Sequence, residues 1–328
     1  MSQLVTIYGG SGFIGRYVAQ RMARAGWRVR VAVRRPNEAI FVRTYGAVGQ
    51  VEPVLCNIRD DASVARAMSG ADAVVNCVGI LNELGANRFA AVQTEGAGRI
   101  ARLAAEAGVG RMVHVSAIGA DRTASSQYAR TKAEGEALVL RHMPDAVILR
   151  PSIVFGTEDG FFNRFAGMTR FSPLLVITGG ATRFQPVWVE DVAQAAERAL
   201  LGQVGPGTYE LGGPEIATFR ALVGRMLLEI RRRRLVVNLP FGVARVMGGV
   251  FDLMQFVTGG LFENRLLTRD QVENLRRDNV ADPAFPGLAE MGIEATAMDS
   301  VLPRYLWRFR PTGQYAAIKE SASRLRQS

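Results

Sequence analysis

The feature that most constrains this chain is a glycine-rich turn between its first predicted strand and its first predicted helix. An apolar segment from Leu4 to Tyr8 predicts the strand, and the chain continues Gly9-Gly10-Ser11-Gly12-Phe13-Ile14-Gly15 into an amphipathic helix that ends at Gly26. A strand that turns sharply into a helix presents free N–H groups and the positive end of the helix dipole to a diphosphate, and glycines let the backbone approach it closely. This context predicts a nucleotide-binding site.

Strand and helix patterns then alternate along the first half of the chain, which is typical of parallel βαβ units. We therefore predict an α/β fold with a doubly wound parallel Rossmann sheet. The predicted strands are 27–33, 51–56, 73–77, 109–116 and 146–149, and the predicted helices after the first are 62–68, about 88–107 and 128–141.

A chain of 328 residues is long for one ordinary core, so we expect a smaller second lobe. Residues 1–155 are predicted to form the dinucleotide-binding domain. The segment Val187 to Ala193 resembles a return to the sheet followed by a helix, so residues 186–213 are assigned to the same domain. Residues 156–185 and 214–328 are left for an interleaved C-terminal lobe.

The sequence also carries negative expectations about targeting and metals. The first strand begins at Leu4, which leaves no room for a signal or transit peptide, and charges and glycines interrupt every long apolar stretch. We expect a soluble or peripheral protein. Cys56 and Cys77 sit at the ends of apolar runs and are expected to be free thiols. With His114 and His142 they form no metal-ligand spacing, so no metal is predicted.

The net charge of +10 is concentrated in two C-terminal segments. Residues 220–240, which include Arg231 to Arg234, and residues 304–328 each carry six basic residues against one acid. This asymmetry predicts an acidic partner or anionic lipid headgroups. Nucleic acid is disfavoured because no nucleic-acid module is recognisable. The segment Pro240 to Phe262 predicts an amphipathic helix that packs in a core, on a membrane or on another subunit.

The end of the second strand indicates which nucleotide binds. Sites for NAD place a carboxylate there to hold the ribose 2′-hydroxyl, whereas this chain has Arg34 followed by Arg35. A guanidinium pairs with the additional 2′-phosphate of NADP. The sequence therefore favours NADPH over NADH.

A second constellation lies on the predicted helix 128–141. Lys132 follows Tyr128 by one turn, so both side chains are on one face. A nearby cation is expected to lower the pKa of the phenol, which could then exchange a proton while a nicotinamide exchanges hydride.

These residues resemble the short-chain dehydrogenase/reductase superfamily, in its extended and atypical branches, over roughly residues 1–215. The resemblance rests on Gly9, Gly12, Gly15, Asn76, Gly79, Ser116, Tyr128, Lys132 and the strand end Leu149-Arg150-Pro151. It implies that Asn57 and Ile58 flank the adenine, that Val78, Gly79 and Ser116 line the nicotinamide half, and that Pro151 and Val154 close over the ring.

Within that superfamily, the sequence resembles the NAD(P)H-binding accessory subunits of respiratory complex I, the NADH:ubiquinone oxidoreductase. The matching segments are Gly9 to Arg16, Val115 to Asp121, Ser126 to Glu136, Pro186 to Ala193, Tyr209 to Glu215 and Leu267 to Val280. The resemblance implies a tightly held structural NADPH and docking beside other complex I subunits near the quinone site. It also implies a peripheral place on the cytoplasmic face of a bacterial inner membrane, or on the matrix side of the mitochondrial one.

Three departures from the active extended enzymes bear on catalysis. Ser116 is followed by Ala117 and Ile118 rather than further hydroxyl residues, Gln93 stands where asparagine is common, and Asn57 replaces an aspartate. Because Ser116, Tyr128 and Lys132 survive, three hypotheses stay open. The chain is an assembly subunit, an independent NADPH-dependent reductase or epimerase that uses these three residues, or a redox sensor whose partner affinity follows NADPH occupancy.

Overall fold

The structure is a computed structural model that describes residues 2–257, 268–311 and 313. Its strands are β1 (Leu4–Tyr8), β2 (Arg28–Val33), β3 (Val51–Leu55), β4 (Ala73–Asn76), β5 (Arg111–Val115), β6 (Val147–Pro151), β7 (Val154–Phe155), β8 (Leu174–Thr178), β9 (Arg183–Phe184), β10 (Val187–Trp188), β11 (Gly207–Leu211), β12 (Ala217–Thr218) and β13 (Leu235–Leu239). Its α-helices are α1 (Phe13–Arg24), α2 (Asp61–Met68), α3 (Glu95–Glu106), α4 (Gln127–His142), α5 (Phe162–Met168), α6 (Val189–Leu200), α7 (Phe219–Glu229), α8 (Phe241–Val257), α9 (Arg269–Asn274) and α10 (Met298–Leu306).

Seven strands form one parallel sheet in the order β11-β6-β5-β4-β1-β2-β3. Alternate residues of β1 point to opposite faces of the sheet. Val5 and Ile7 pack with α1 and α6 on one face, whereas Tyr8 packs with α2, α3 and α4 on the other. Helices thus cover both faces, as the near-continuous burial of the central strands requires. The predicted α/β fold with a doubly wound parallel sheet is confirmed.

Two local predictions were wrong. The strand Val187–Trp188 pairs with β7 outside the seven-stranded sheet, whose last strand is β11 instead. The helix expected over 88–107 begins with a π-helical turn, Ala90–Thr94, and becomes α-helical only at Glu95. A Cβ at Gly135 of α4 would collide with the carbonyl oxygen of Gln93 in that turn, so a side chain at 135 would force the two elements apart.

A second core lies in the C-terminal half of the chain. It joins α5, α7 and α10 with the paired strands β8 and β13, and its buried residues include Phe162, Leu175, Phe219 and Leu302. The division of the chain into two domains remains a prediction, although this core is separate from the two cores that flank the sheet.

The amphipathic helix predicted over 240–262 is seen as α8 up to Val257, and the rest lies outside the described residues, as do the side chains of Met254 and Val257. On its predicted apolar face, Val243, Met247 and Val250 are exposed. Within the described residues, no helix combines the length and the apolar character needed to cross a bilayer. Both cysteines are free thiols, as predicted.

A nearly buried network of ion pairs joins β6 to its neighbouring strand β11 and to helix α4. The Arg150 guanidinium on β6 donates to Glu136 of α4 at 2.6 and 2.9 Å and to Glu210 of β11 at 3.3 Å. The carboxylate side chains are only 7% and 5% exposed. Removing the cation would leave two nearly buried carboxylates without a counter-charge, and Glu210 would keep only the N–H of Asp282 as a partner of its carboxylate among the described residues.

We predict that Arg150→Met costs about 3–5 kcal/mol in the free energy of unfolding, measured by urea denaturation. The matched control is Arg102→Met, because Arg102 pairs with Asp61 and Glu106 at the surface and such pairs contribute about 1 kcal/mol or less. Equal losses in the two variants would contradict this account.

Candidate nucleotide site

The glycine-rich turn lies at the carboxyl edge of the sheet, where β1 ends between β2 and β4. Gly9 has a positive φ of 75°, a conformation that favours glycine, and its N–H donates to Ala32 of β2 at 3.0 Å. Gly12 is the N-cap of α1 without a side-chain cap, and the first turn of α1 carries no acid. The amides and the dipole at this end of α1 are therefore suited to an anion.

Steric contact explains why the other glycines are needed. A Cβ at Gly15 would overlap the Gly9 carbonyl oxygen and lie 2.7 Å from the Gly10 Cα, so any larger residue would separate α1 from the turn. A Cβ at Gly10 would lie 3.0 Å from Val31. Gly10 and Gly15 therefore allow the turn to pack closely against its neighbours, and neither residue lines the adjacent cavity.

That cavity has a volume of about 260 Å³. Eight of the residues predicted to bind the nucleotide line it: Gly9, Ser11, Gly12, Arg34, Asn57, Ile58, Val78 and Gly79. Ile14 packs towards the core beside β1 instead, and Phe13 is not among the lining residues. The cavity thus follows the ends of β1, β2, β3 and β4, which is where a doubly wound sheet binds dinucleotides.

The charged end of the cavity contains one predicted arginine and one that the sequence analysis missed. Arg34 lines the cavity and donates to the Asn87 side chain at 3.3 Å. Arg59 lines it too, and its Nε lies 3.4 Å from the Asn57 Oδ1. Arg35 is highly exposed, pairs with Glu38 at 2.9 Å and does not line the cavity. Because Arg59 follows Asn57 by two residues, its position just after β3 could have been used to predict it as a site residue from the sequence.

The other residues predicted for the nicotinamide half, Ser116, Tyr128 and Lys132, do not line this cavity. The Lys132 ammonium donates to the Val115 carbonyl oxygen at 3.2 Å, and a Cβ on Gly79 would lie only 3.3 Å from it. Burial lowers the pKa of Lys132 to about 8. Ser116 is buried, and its hydroxyl has no hydrogen-bond partner among the described residues. A buried hydroxyl without a partner, next in sequence to the carbonyl that binds the Lys132 ammonium, is a place where a polar ligand group would be stabilised.

Tyr128 does not have the activated phenol that we expected. Its pKa is raised to about 12 by burial and by the nearby Asp270 carboxylate rather than lowered by Lys132. Its ring meets Phe89 edge to face at 5.9 Å between centroids. The expectation failed because the phenol is buried and because Asp270 lies close by, neither of which the sequence spacing could reveal.

Pro151 is the last residue of β6, and Val154 is the first residue of β7. The Pro151 carbonyl accepts from Ile118 at 3.1 Å, and Val154 pairs with Val187. Phe13 lies near Gly156, since a Cβ there would be 3.4 Å from its ring. Neither Pro151 nor Val154 lines the 260 Å³ cavity, so their contact with a nicotinamide ring remains a prediction.

Asp270 is the main residue that sequence reasoning missed. Its carboxylate accepts from the Ser126 hydroxyl at 2.9 Å and from the backbone N–H groups of Gln127 and Tyr128 at 2.6 and 3.1 Å. It therefore caps the helix that carries Tyr128 and Lys132 from 142 residues away. The capping box of Thr268 and Gln271 predicts the start of α9, but no local pattern predicts this long-range cap.

Asp270 belongs to a segment, residues 268–287, that crosses the carboxyl edge of the sheet and that we name the strap. The strap is bonded in turn to loops after β4, β5 and β6 and to β11. The bonds run from Gln271 to Asn82 (2.7 Å), Arg277 to Asp121 (3.1 Å), Ser152 to Asn279 (2.7 Å) and Asp282 N–H to Glu210 (2.9 Å). The strap thus crosses the sheet edge on the side of the site where Tyr128 lies, and its first residues line a second cavity of about 810 Å³ together with Asn82, Phe89 and Gln127.

The residues present fit a dinucleotide. The glycine-rich turn leads into the uncapped start of α1, Arg34 lines the 260 Å³ cavity at the end of β2, and the buried Ser116 hydroxyl has no hydrogen-bond partner among the described residues. A family model for NAD dependent epimerases and dehydratases matches residues 5–212. The chain belongs to this epimerase/dehydratase family.

Curated relatives place the chain more narrowly within the epimerase/dehydratase family. It is 35% identical to the Arabidopsis thaliana mitochondrial "NADH dehydrogenase [ubiquinone] 1 alpha subcomplex subunit 9" over 86% of this chain and 72% of that protein. It is 29% identical to the Neurospora crassa mitochondrial "NADH-ubiquinone oxidoreductase 40 kDa subunit" over 94% of this chain and 80% of that one. The chain therefore belongs to the family of these complex I accessory subunits.

Solved structures agree on the fold of this family. A Bordetella bronchiseptica enzyme crystallised with NAD⁺ superposes with a TM-score of 0.69 at 19% identity, over 95% of this chain and all of that one. The superposition covers nearly the whole chain, so the likeness in fold extends beyond the parallel sheet into the C-terminal half.

We predict that Gly15→Ala weakens the binding of a reduced nicotinamide nucleotide at least tenfold, because the methyl group forces α1 away from the turn that is expected to hold the diphosphate. Titration of nucleotide fluorescence against purified protein measures this. Gly110→Ala is the control, since the nearest atom to its added Cβ is 3.6 Å away. Unchanged affinity in Gly15→Ala would contradict the diphosphate cradle.

Proposed function

We propose that this chain is an NADPH-binding accessory subunit of respiratory complex I, the NADH:ubiquinone oxidoreductase, in which the nucleotide is held as a structural part of the fold. The subunit would dock on other complex I subunits where the peripheral arm meets the membrane arm, near the quinone site. It would be peripheral, on the cytoplasmic face of a bacterial inner membrane or on the matrix side of the mitochondrial one, with anionic lipid headgroups as further contacts.

The strap is the observation that carries a structural rather than a turnover role. In a reductase, the side of the site next to the catalytic phenol must admit a substrate. Here that side is crossed by the chain itself, and Asp270 fastens the strap beside Tyr128 by accepting hydrogen bonds from the Ser126 hydroxyl and from the backbone N–H groups of Gln127 and Tyr128. Burial and the same carboxylate raise the pKa of the phenol, which makes it a weaker proton donor at neutral pH.

The choice of NADPH over NADH rests on Arg34. Its side chain lines the 260 Å³ cavity at the end of β2, and Arg59 lines the same cavity. Two guanidinium groups can bind a 2′-phosphate through charge-assisted hydrogen bonds, and neither can replace the carboxylate that NAD sites use.

The alternative function is an independent NADPH-dependent reductase or epimerase. It is favoured by one observation, the survival of Ser116, Tyr128 and Lys132 on one side of the site. In that reaction Tyr128 would exchange the proton, Lys132 would tune it, and Ser116 would bond the substrate oxygen.

Affinity purification of the tagged chain from gently solubilised membranes tests the proposal. Stoichiometric co-purification of complex I subunits with NADH:ubiquinone reductase activity is the expected result, and Tyr128→Phe should leave both unchanged. A chain that purifies alone, and whose carbonyl reductase activity disappears in Tyr128→Phe, would establish the alternative.

We predict that Arg34→Glu reverses the nucleotide preference, lowering NADPH affinity at least 100-fold and leaving NADH affinity equal or higher, because the carboxylate repels the 2′-phosphate and accepts from a 2′-hydroxyl. Binding of both nucleotides is measured by calorimetry. Arg35→Glu is the control, because Arg35 pairs with Glu38 outside the cavity. Retained NADPH preference in Arg34→Glu would refute the assignment.

We predict that Asp270→Ala increases the rate of NADPH release at least tenfold, because the strap then loses its bonds to α4. Release is followed by fluorescence after dilution into excess unlabelled competitor nucleotide, and Asp270→Asn should restore slow release in part, since its amide oxygen still caps. Asp278→Ala is the control, because Asp278 lies in the strap but pairs with the exposed Arg183. The strap has no retaining role if Asp270→Ala and Asp278→Ala release NADPH at the same rate.

A further inference from the structure

Four arginines gather at one end of the second core, and we name them the arginine cluster: Arg170, Arg232, Arg234 and Arg308. The guanidinium groups of Arg170 and Arg308 lie over the same ring, that of Phe309, at 5.0 and 5.2 Å from its centroid. Arg232 donates to the Phe309 carbonyl oxygen at 2.9 Å, so a third cation is anchored at the same residue.

The partners of the arginine cluster are neutral. Arg234 donates to the Thr169 carbonyl at 2.8 and 3.1 Å, Arg170 to the Arg308 carbonyl at 3.0 Å, and Arg308 to the Thr157 carbonyl at 2.9 Å and the Asn163 amide oxygen at 2.7 Å. Desolvation and the charges of Arg234 and Arg170 lower the pKa of Arg232. The fold therefore holds like charges together at a cost that a bound anion would offset.

Exposed apolar side chains adjoin the arginine cluster along the chain. Phe171 follows Arg170 and is 92% exposed, and Leu235 follows Arg234 and is 67% exposed. The parallel register of β8 and β13 places Leu235 beside Leu174, and Val237 beside Val176, on the outer face of this two-stranded sheet. All four strand residues are exposed, whereas the intervening Leu175 and Ile177 are buried.

An exposed row of apolar side chains next to cations that have no acidic partner among the described residues is typical of an interaction surface. A free phosphate would use the arginines and leave the apolar row in water. A membrane surface uses both, because phosphodiester groups bind the guanidinium groups while apolar side chains enter the boundary between headgroups and acyl chains.

We propose that the arginine cluster and the outer face of β8 and β13 bind the phosphodiester headgroups of an anionic phospholipid surface. Phe171 and Leu235 enter the interface, and the guanidinium groups of Arg170 and Arg308 contact the phosphates. This deepens the peripheral placement proposed above by naming the surface, and it is independent of whether nucleotide is bound.

Co-sedimentation with vesicles tests the proposal on the full chain. The vesicles are phosphatidylcholine alone or phosphatidylcholine with roughly one third phosphatidylglycerol. We expect binding to the anionic vesicles that weakens with salt and is not displaced by millimolar inorganic phosphate. Arg170→Gln with Arg308→Gln should weaken it about 30-fold, the equivalent of about 1 kcal/mol for each cation near the surface.

The charge-matched control is Arg24→Gln with Arg28→Gln, since both arginines are exposed within the predicted dinucleotide-binding domain. Phe171→Ser tests the apolar contribution at a side chain too exposed to affect folding, and it should weaken binding severalfold. Equal binding by the two arginine pairs would overturn the proposal, as would binding of inorganic phosphate without binding of vesicles. If the chain binds vesicles but no complex I subunits co-purify with it, this inference stands and the proposed function is wrong.

Discussion

The close contact between Gly15 and the Gly9 carbonyl is the constraint on which the nucleotide site depends. It sets the direction in which α1 leaves β1, and it leaves the amides at the start of α1 facing the ends of the neighbouring strands. Because β2, β3 and β4 end at the same edge, Arg34, Asn57 and Val78 are then brought around one cavity. A larger residue at position 15 would disturb every one of these relations.

The strap determines how that site can be used. The sheet edge, the helix dipole and the Lys132 ammonium are compatible with hydride transfer, but the side next to Tyr128 is crossed by a segment that belongs to the chain itself. Polar groups that could face a substrate are instead bonded by the strap: the N-terminus of α4, the Asn82 side chain and the Asp121 carboxylate. A retained nucleotide would stabilise the fold because it binds the native state only.

Much of the fold was predictable from the sequence, because its strands are apolar runs, its turns contain glycine, and its helices show the 3.6-residue period. The same local logic singled out the turn Gly9 to Gly15 and Arg34, whereas Asn57 and Gly79 were expected from the resemblance to the superfamily. Arg34, Asn57 and Gly79 all line the cavity. It failed where distant segments decide the structure. The pairing of Val187 with Val154, the π-helical turn at Ala90–Thr94 and the Asp270 cap each depend on a partner far away in sequence. The pKa of Tyr128 was mispredicted for the same reason.

The central claim is that the nucleotide is held and does not turn over, and it is tested most directly in the intact complex. NADPH bound to the purified native assembly would be quantified before and after many cycles of quinone reduction driven by NADH, in the presence of isotopically labelled NADPH. The account predicts about one NADPH for each copy of this chain, still reduced and still unlabelled. Loss of the nucleotide, its oxidation in step with turnover, or rapid uptake of label would contradict it.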